Sequence, residues 1–414
     1  MVCRERLFSR KWRIALYSPG MVGLGHMRRN LLIAETLARF TPSSAILLIA
    51  EAREANAFSL PRGVDCLTLP ALRKELDGRN QPRYLDIPSM ELTELRANVI
   101  RSALETFEPE LLIVDHLPLG AFRELAGTLE SLHASGRTRF VLGMRDVLED
   151  YATVQREWFT PENRHALHHY YNRIWVYGDP FVFDLVREYG FSESLAAKIR
   201  YCGYLDPRVR LNHPEVEYHE FYSELGLPHG ALMLCLVGGG QDGSRLAQAF
   251  VQAKLPKGSN GVLVTGPYMP LEERGNLRLL ASDRARLRIL QFVSEPALLM
   301  NSAHRVIAMG GYNTVCEVLS FEKPALIVPR ATSRPEQWIR ATRLQELGLI
   351  DVLHPDEVNA ASLSDWMNGN DRRHKRAKKV IDFRGLKRLA DLLEEVLALP
   401  YQGASFAVQL GGNS

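Results

Sequence analysis

The sequence predicts an α/β protein built from two doubly wound domains whose parallel sheets face each other across a cleft. Three observations predict it. Strand-length apolar runs alternate with longer amphipathic stretches almost from end to end, and strands buried on both faces and joined by helices imply parallel βαβ units. The rhythm pauses once, at 204–222 (YLDPRVRLNHPEVEYHEFY), which is polar and carries two prolines, and then restarts. In each half an apolar run gives onto a glycine loop and a helix, the arrangement that puts ligands at the carboxyl edge of such sheets.

The first series of strands is expected at 13–17, 45–50, 64–69, 111–115, 139–143, 173–177 and 199–202, with helical patterns at 27–40, 91–107 and 121–133. The second series is expected at 232–237, 261–265, 287–292, 305–308 and 325–328. The length of 414 residues suits two domains. We divide it into an N-terminal domain (1–205), a linker (206–222), a C-terminal domain (223–384) and a last segment (385–414). That segment opens with the amphipathic helix GLKRLADLLEEVLA and ends in a loose tail rich in glycine and small residues.

Composition excludes several classes. Lys+Arg is 51 against Asp+Glu 48, a net charge of +3, too near neutral for nucleic acid to be the main partner. Cys3, Cys66, Cys202, Cys235 and Cys316 are scattered without a CxxC, which excludes a zinc ribbon and gives no disulfide framework. No apolar run approaches the ~20 residues of a membrane span, and no long apolar stretch follows the basic start MVCRERLFSRKWR. The expected compartment is the cytoplasm. The basic run DRRHKRAKK at 371–379 reads as a solvated helix face.

In the first loop, SPGMVGLGHMRRN, glycines 20, 23 and 25 allow close approach of backbone to a ligand. The spacing is not that of a dinucleotide fingerprint, although Glu51, after the second strand, stands where a dehydrogenase would hold a ribose. His26 falls at the helix start, where the positive dipole end keeps an imidazole neutral and basic. Asp115 closes the run LLIVD and is placed either to orient His26 or to cap a following helix. Arg145 and Asp146 follow another strand and are weaker candidates for the cleft. The loops at 72–88 and 146–171 are charged and aromatic (Tyr84, Tyr151, Trp158 and Phe159), which suits a sugar or other polar ligand and equally ordinary loop packing.

In the second half, Gly239 and Gly240 belong to a further phosphate-cradle candidate with Ser244 as its N-cap. The segment HRVIAMGGYNTVCEVLSFEKPALIVPRATSRPEQWIR is the most informative. A strand gives onto Gly310 and Gly311, and a helix begins near Asn313 and Thr314, so its free N–H groups suit a diphosphate. Glu317, one turn in, suits the two hydroxyls of a ribose. Arg330 and Arg334 make the following loop basic, and Glu336 and Gln337 open the next helix with groups suited to sugar hydroxyls. No Asp-x-Asp occurs, so no paired-aspartate metal site is expected.

This chain resembles the GT-B glycosyltransferases, two Rossmann-like domains across a cleft, and within them the family 28-like branch that contains the peptidoglycan N-acetylglucosaminyltransferase. The specific part is 292–348, supported by 23–26 and 238–243. The resemblance implies that Gly310, Gly311, Asn313, Thr314 and Glu317 grip the nucleotide, that Glu336 and Gln337 touch the donor sugar, and that the backbone of Phe292 and Val293 meets the base. Gly23 and Gly25 would lie beside the donor and His26 would be the acceptor-side base. The last helix would cross back to the N-terminal domain. The loops GMVGLGH and GGGQDG depart from that branch, so its lipid-linked acceptor is not carried over. GLGHMRRNLLIAETLA also resembles a nucleotide-sugar hydrolase of nonulosonic-acid pathways. The expectation is an inverting transferase using a nucleotide diphosphate sugar, UDP-linked by resemblance, and an unidentified hydroxyl acceptor. No cofactor is expected, and peripheral membrane contact stays open. A hydrolase or UDP-sugar 2-epimerase of the same fold, or a non-catalytic sugar-nucleotide-binding protein, remain the alternatives.

Overall fold

The computed structural model describes residues 10–19, 25–51, 60–74, 80–211, 225–240, 242–293, 296–331, 335–369 and 374–401. The first lobe holds β1 (Arg13–Ser18), β2 (Ala45–Ala50), β3 (Val64–Thr68), β4 (Leu72–Lys74), β5 (Asn80–Pro82), β6 (Leu111–Asp115), β7 (Arg139–Arg145), β8 (Arg173–Tyr177) and β9 (Ile199–Tyr201). Its main sheet runs β3-β2-β1-β6-β7-β8-β9, and all of its pairings are parallel. The second lobe holds β10 (Leu232–Leu236), β11 (Asn260–Val264), β12 (Leu287–Leu290), β13 (Ala303–Ala308), β14 (Ala325–Ile327) and β15 (Asp351–Val352), parallel in the order β12-β11-β10-β13-β14-β15. The helices that frame the cleft or tie the lobes together are α1 (Gly25–Phe40), α2 (Ser244–Gln252), α3 (Tyr312–Ser320), α4 (Glu336–Glu346) and α5 (Gly385–Ala398).

The topology places the site. In each sheet the first strand of the lobe is central: β1 lies between β2 and β6, and β10 between β11 and β13. Chain connections therefore leave in opposite directions on either side of β1 and β10, which opens a crevice at their carboxyl ends. Tyr17 sits opposite Val114, and Leu236 opposite Ala308, so the loops after β1 and β6 adjoin, as do those after β10 and β13.

Strands such as IALYS of β1 and LLIVD of β6 are buried throughout, because helices cover both faces. One apolar cluster contains Met27 and Leu31 of α1, Val315 and Leu319 of α3, and Leu389 and Leu393 of α5, so it runs through both lobes. α5 does cross back. Its Glu395 accepts from Arg173 (2.6 Å) and Arg200 (3.0 Å), both in the first lobe. Among the described residues, no helix is long and apolar enough to cross a membrane.

The structure departs from the sequence reading in small elements. Within 72–88, read as loop, β4 and β5 pair antiparallel; their polar triplets LRK and NQP show no alternation to read. β15 has only two residues, below any usable period. Ser244 is the first residue of α2 rather than its cap, and Gly243 holds the cap position. The helix expected from 121 begins at Ala126. Within 204–222 a 3₁₀ turn spans Pro207–Arg210. The rest of that stretch from 212, the tail 403–414 and residues 371–373 lie outside the described residues.

Candidate active site

The cleft between the lobes encloses about 290 Å³. Its first-lobe wall is built from the opening turn of α1 and the end of β6. Asp115, buried at the end of β6, accepts from His26 Nδ1 (2.8 Å), from Arg29 Nη2 (2.7 Å to each oxygen) and from Asn30 Nδ2 (2.9 Å). Residues 26, 29 and 30 share one helical face, which is why a single carboxylate can meet all three. Burial acts to raise the Asp115 carboxyl, but the Arg29 guanidinium and the His26 ring outweigh it and hold it down at about 2. The ionised carboxylate therefore fixes the ring hydrogen on Nδ1. The 2.9 Å approach of Arg29 Nη2 to that same nitrogen is then a contact between two donors. Burial pushes the His26 imidazole below its ordinary value, against the pull of Asp115. The ring is neutral near pH 7, with Nε2 as its basic atom.

His116 follows Asp115 at a φ of 73°, unusual for a residue with a side chain. Its ring lies 5.3 Å from that of His26 and meets Trp158 edge-on at 5.0 Å. His116, Arg145 and Glu149 complete this wall. Arg145 Nη1 stands 3.8 Å from Glu336 Oε1 across the cleft.

The second-lobe wall contains Gly239, Phe292, Val293, Gly311, Asn313, Thr314, Glu317, Arg330, Glu336 and Gln337. Gly311 precedes α3 in extended backbone with no side-chain cap, so the first-turn N–H groups keep their capacity to bind an anion. The lobes meet here: Asn313 Nδ2 donates to the carbonyl of Gly25 (2.7 Å), and Arg28 Nη2 donates to that of Val293 (3.1 Å).

Several candidates fall elsewhere. Gly240 (φ 93°) is scaffold: a Cβ there would stand 2.3 Å from the Thr265 carbonyl oxygen. Gly310 lies behind the wall, against Gln337 and Pro329, and its carbonyl accepts from Arg340 (3.0 Å). Arg330 lines the cleft, and its guanidinium is engaged by Asp242 (2.6 Å). Asp146 does not face the cleft. It is fully buried and pairs with Arg340 (2.8 Å) and the Tyr204 hydroxyl (2.8 Å). Glu51 is no ribose ligand either: it is buried against Arg96 (3.1 Å) and accepts from the Leu72 N–H (2.7 Å). Trp158 is buried, whereas Tyr84 and Tyr151 are exposed. Gly23 and Arg334 lie outside the described residues.

Sequence reasoning missed Arg28, Arg29, Asn30, His116 and Glu149. The signal for Arg29 and Asn30 was present in GHMRRN, since both lie one turn beyond His26.

Fold and cleft define a protein of the GT-B class. Residues 233–389 match the family described as glycosyltransferase family 28 C-terminal domain. An uncharacterized glycosyltransferase of Methanosarcina mazei is 28% identical over 212 residues, 50% of this chain and 52% of that one. The UDP-N-acetylglucosamine--N-acetylmuramyl-(pentapeptide) pyrophosphoryl-undecaprenol N-acetylglucosamine transferase of Clostridium kluyveri is 28% identical over 126 residues, 30% of this chain and 36% of that one. The chain thus spans about half the length, or less, of the curated relatives it matches. Among solved structures, the calicheamicin glycosyltransferase CalG4 aligns with a TM-score of 0.58 at 17% identity, covering 94% of this chain and 98% of that one. The UDP-GlcNAc 2-epimerase of Neisseria meningitidis aligns with a TM-score of 0.62 at 12% identity, covering 93% and 100%. At such identities the likeness is one of fold.

Proposed function

We propose that the chain is an inverting glycosyltransferase that moves a sugar from a UDP-sugar to a hydroxyl acceptor. The observation that carries this reading is the His26–Asp115 pair (2.8 Å) in the same cleft as Asn313, Thr314 and Glu317. A base on one lobe and a helix start on the other are what a displacement at an anomeric carbon requires. His26 Nε2 takes the acceptor hydroxyl proton while that oxygen bonds to the anomeric carbon. The bond from that carbon to the diphosphate breaks, and UDP leaves with its electron pair. The N–H groups at the start of α3, with the loop at Gly239, meet the developing charge. Glu317 holds the ribose, and Glu336 and Gln337 the sugar. The free thiols Cys66, Cys202, Cys235 and Cys316 accord with a reducing cytoplasm. Membrane-peripheral contact belongs to this reading only for a lipid-linked acceptor.

A thermal-shift panel of nucleoside diphosphates and nucleotide sugars is the first test; no stabilisation by any of them would end the proposal. With the donor so chosen, UDP and free sugar are counted with and without acceptor alcohols. Transfer makes UDP release acceptor-dependent, and a hydrolase releases both without acceptor. An epimerase, the second reading favoured by the 2-epimerase likeness, isomerises the donor. His26→Ala should lower turnover ~10²–10⁴-fold with nucleotide affinity nearly unmoved. Full activity in that variant would remove His26 from the chemistry.

A further inference from the structure

Arg28 stands two residues beyond His26 on α1 and reaches into the other lobe. Nη2 donates to the Val293 carbonyl at 3.1 Å, and Nη1 lies 4.0 Å from Glu317 Oε1. These two acceptors are the ones that a nucleoside needs in the reading above: a backbone carbonyl for a base N–H and a carboxylate for ribose hydroxyls. One guanidinium reaches both, because its N–H groups form a wide planar fork. The side chain lines both the main cleft and a small second cavity of about 40 Å³, which Leu205, Arg210 and Cys316 also border.

We propose that Arg28 sets the balance between the nucleoside and diphosphate parts of the donor. The inference rests on the nucleotide-binding reading. Arg28 competes with base and ribose for Val293 and Glu317, which weakens a nucleoside lacking phosphates. Its charge remains inside the cleft and favours an anionic ligand, which strengthens a diphosphate. The residue thereby makes the site discriminate a whole donor from its uncharged fragment. Because Arg28 shares the first turns of α1 with His26, the base helix is tied directly to the nucleoside subsite.

The test is calorimetric titration of the full chain with uridine and with UDP, for the wild type, Arg28→Ala and Arg28→Gln. Removing the competing hydrogen bond should tighten uridine about fivefold in Arg28→Ala. Losing the charge should weaken UDP by a similar net factor, so the UDP-to-uridine preference contracts about 25-fold. In Arg28→Gln the amide can still occupy the Val293 carbonyl, so uridine should gain nothing while UDP still weakens. A preference unchanged in both variants, with both ligands shifted equally or not at all, overturns the proposal. Should Arg28→Ala fail to fold, Arg28→Gln alone decides by the same ratio. Wild-type protein that binds neither UDP, dTDP nor GDP refutes the nucleotide reading itself and this proposal with it. Wild-type binding with an unmoved ratio refutes only this proposal.

Discussion

Asp115→Asn changes one oxygen to an amide and should damage two properties at once. Asp115 takes four donor contacts, three of them at 2.7–2.8 Å from His26 and Arg29. An asparagine has one acceptor oxygen, and Arg29 claims it, because the Arg29 side chain is only 2% exposed and pairs with no other carboxylate among the described residues. The amide NH₂ then faces His26 Nδ1 and donates to it. That moves the ring hydrogen to Nε2 and leaves the acceptor proton with nowhere to go. Turnover should drop ~10²–10⁴-fold. Separately, Arg29 becomes a buried cation without its carboxylate, a loss of about 3–5 kcal/mol of stability. The assay is initial-rate UDP release from the chosen donor between pH 5 and 9, beside thermal unfolding of the same samples. The wild-type acid limb should lie below pH 6.5, since the imidazole is depressed from that value. The double variant Arg29→Met with Asp115→Leu removes both charges and should recover stability without activity. If Asp115→Asn turns over within a few-fold of wild type, or melts with it, the tautomer argument or the charge argument is wrong respectively.

Glu317→Ala should weaken UDP binding by ~1–3 kcal/mol through lost hydrogen bonds to a charged group; wild-type affinity by calorimetry would move the ribose elsewhere. Arg340→Met leaves the buried Asp146 with the Tyr204 hydroxyl and the Val147 N–H but no cation, and should cost about 3–5 kcal/mol. An unfolding curve superimposable on wild type would show that the cross-lobe pair contributes nothing. Glu51 is raised from 4.5 to about 7, burial outweighing Arg96. A raised carboxyl gives its full stability below pH 4.5 and loses it as the pH climbs through 7. Glu51→Gln should therefore gain on wild type between pH 5 and 8, approaching about 3 kcal/mol; parallel urea midpoints across that range would contradict the assignment.

Much of the fold was legible because parallel strands buried on both faces are written as unbroken apolar runs. Ala45–Ala50, Leu111–Asp115 and Arg173–Tyr177 stand where periodicity put them. Elements of only two or three residues, β4, β5 and β15, are too short to show an alternation. The site was partly legible for a related reason. Glycines and helix starts announce themselves locally, so His26, Gly311, Asn313, Thr314 and Glu317 could be named in advance, and all five line the cleft. Pairings between distant segments could not. Nothing in Asp146 or Arg340 alone foretells that they meet, and so Asp146 reads as a weak candidate for the cleft although it lies in the interior. Nor does the basic loop announce that Arg330 pairs with Asp242, 88 residues away.

The returning helix has a consequence for how the chain is made. Leu389 and Leu393 belong to the same apolar cluster as Met27 and Leu31, yet a ribosome produces them long after Tyr201 has emerged. Until then the nascent amino-terminal half carries an uncovered greasy strip along α1, which chaperones could grasp. The two halves expressed as separate polypeptides should consequently be poorly soluble, unless 385–398 is grafted back onto the half that it covers.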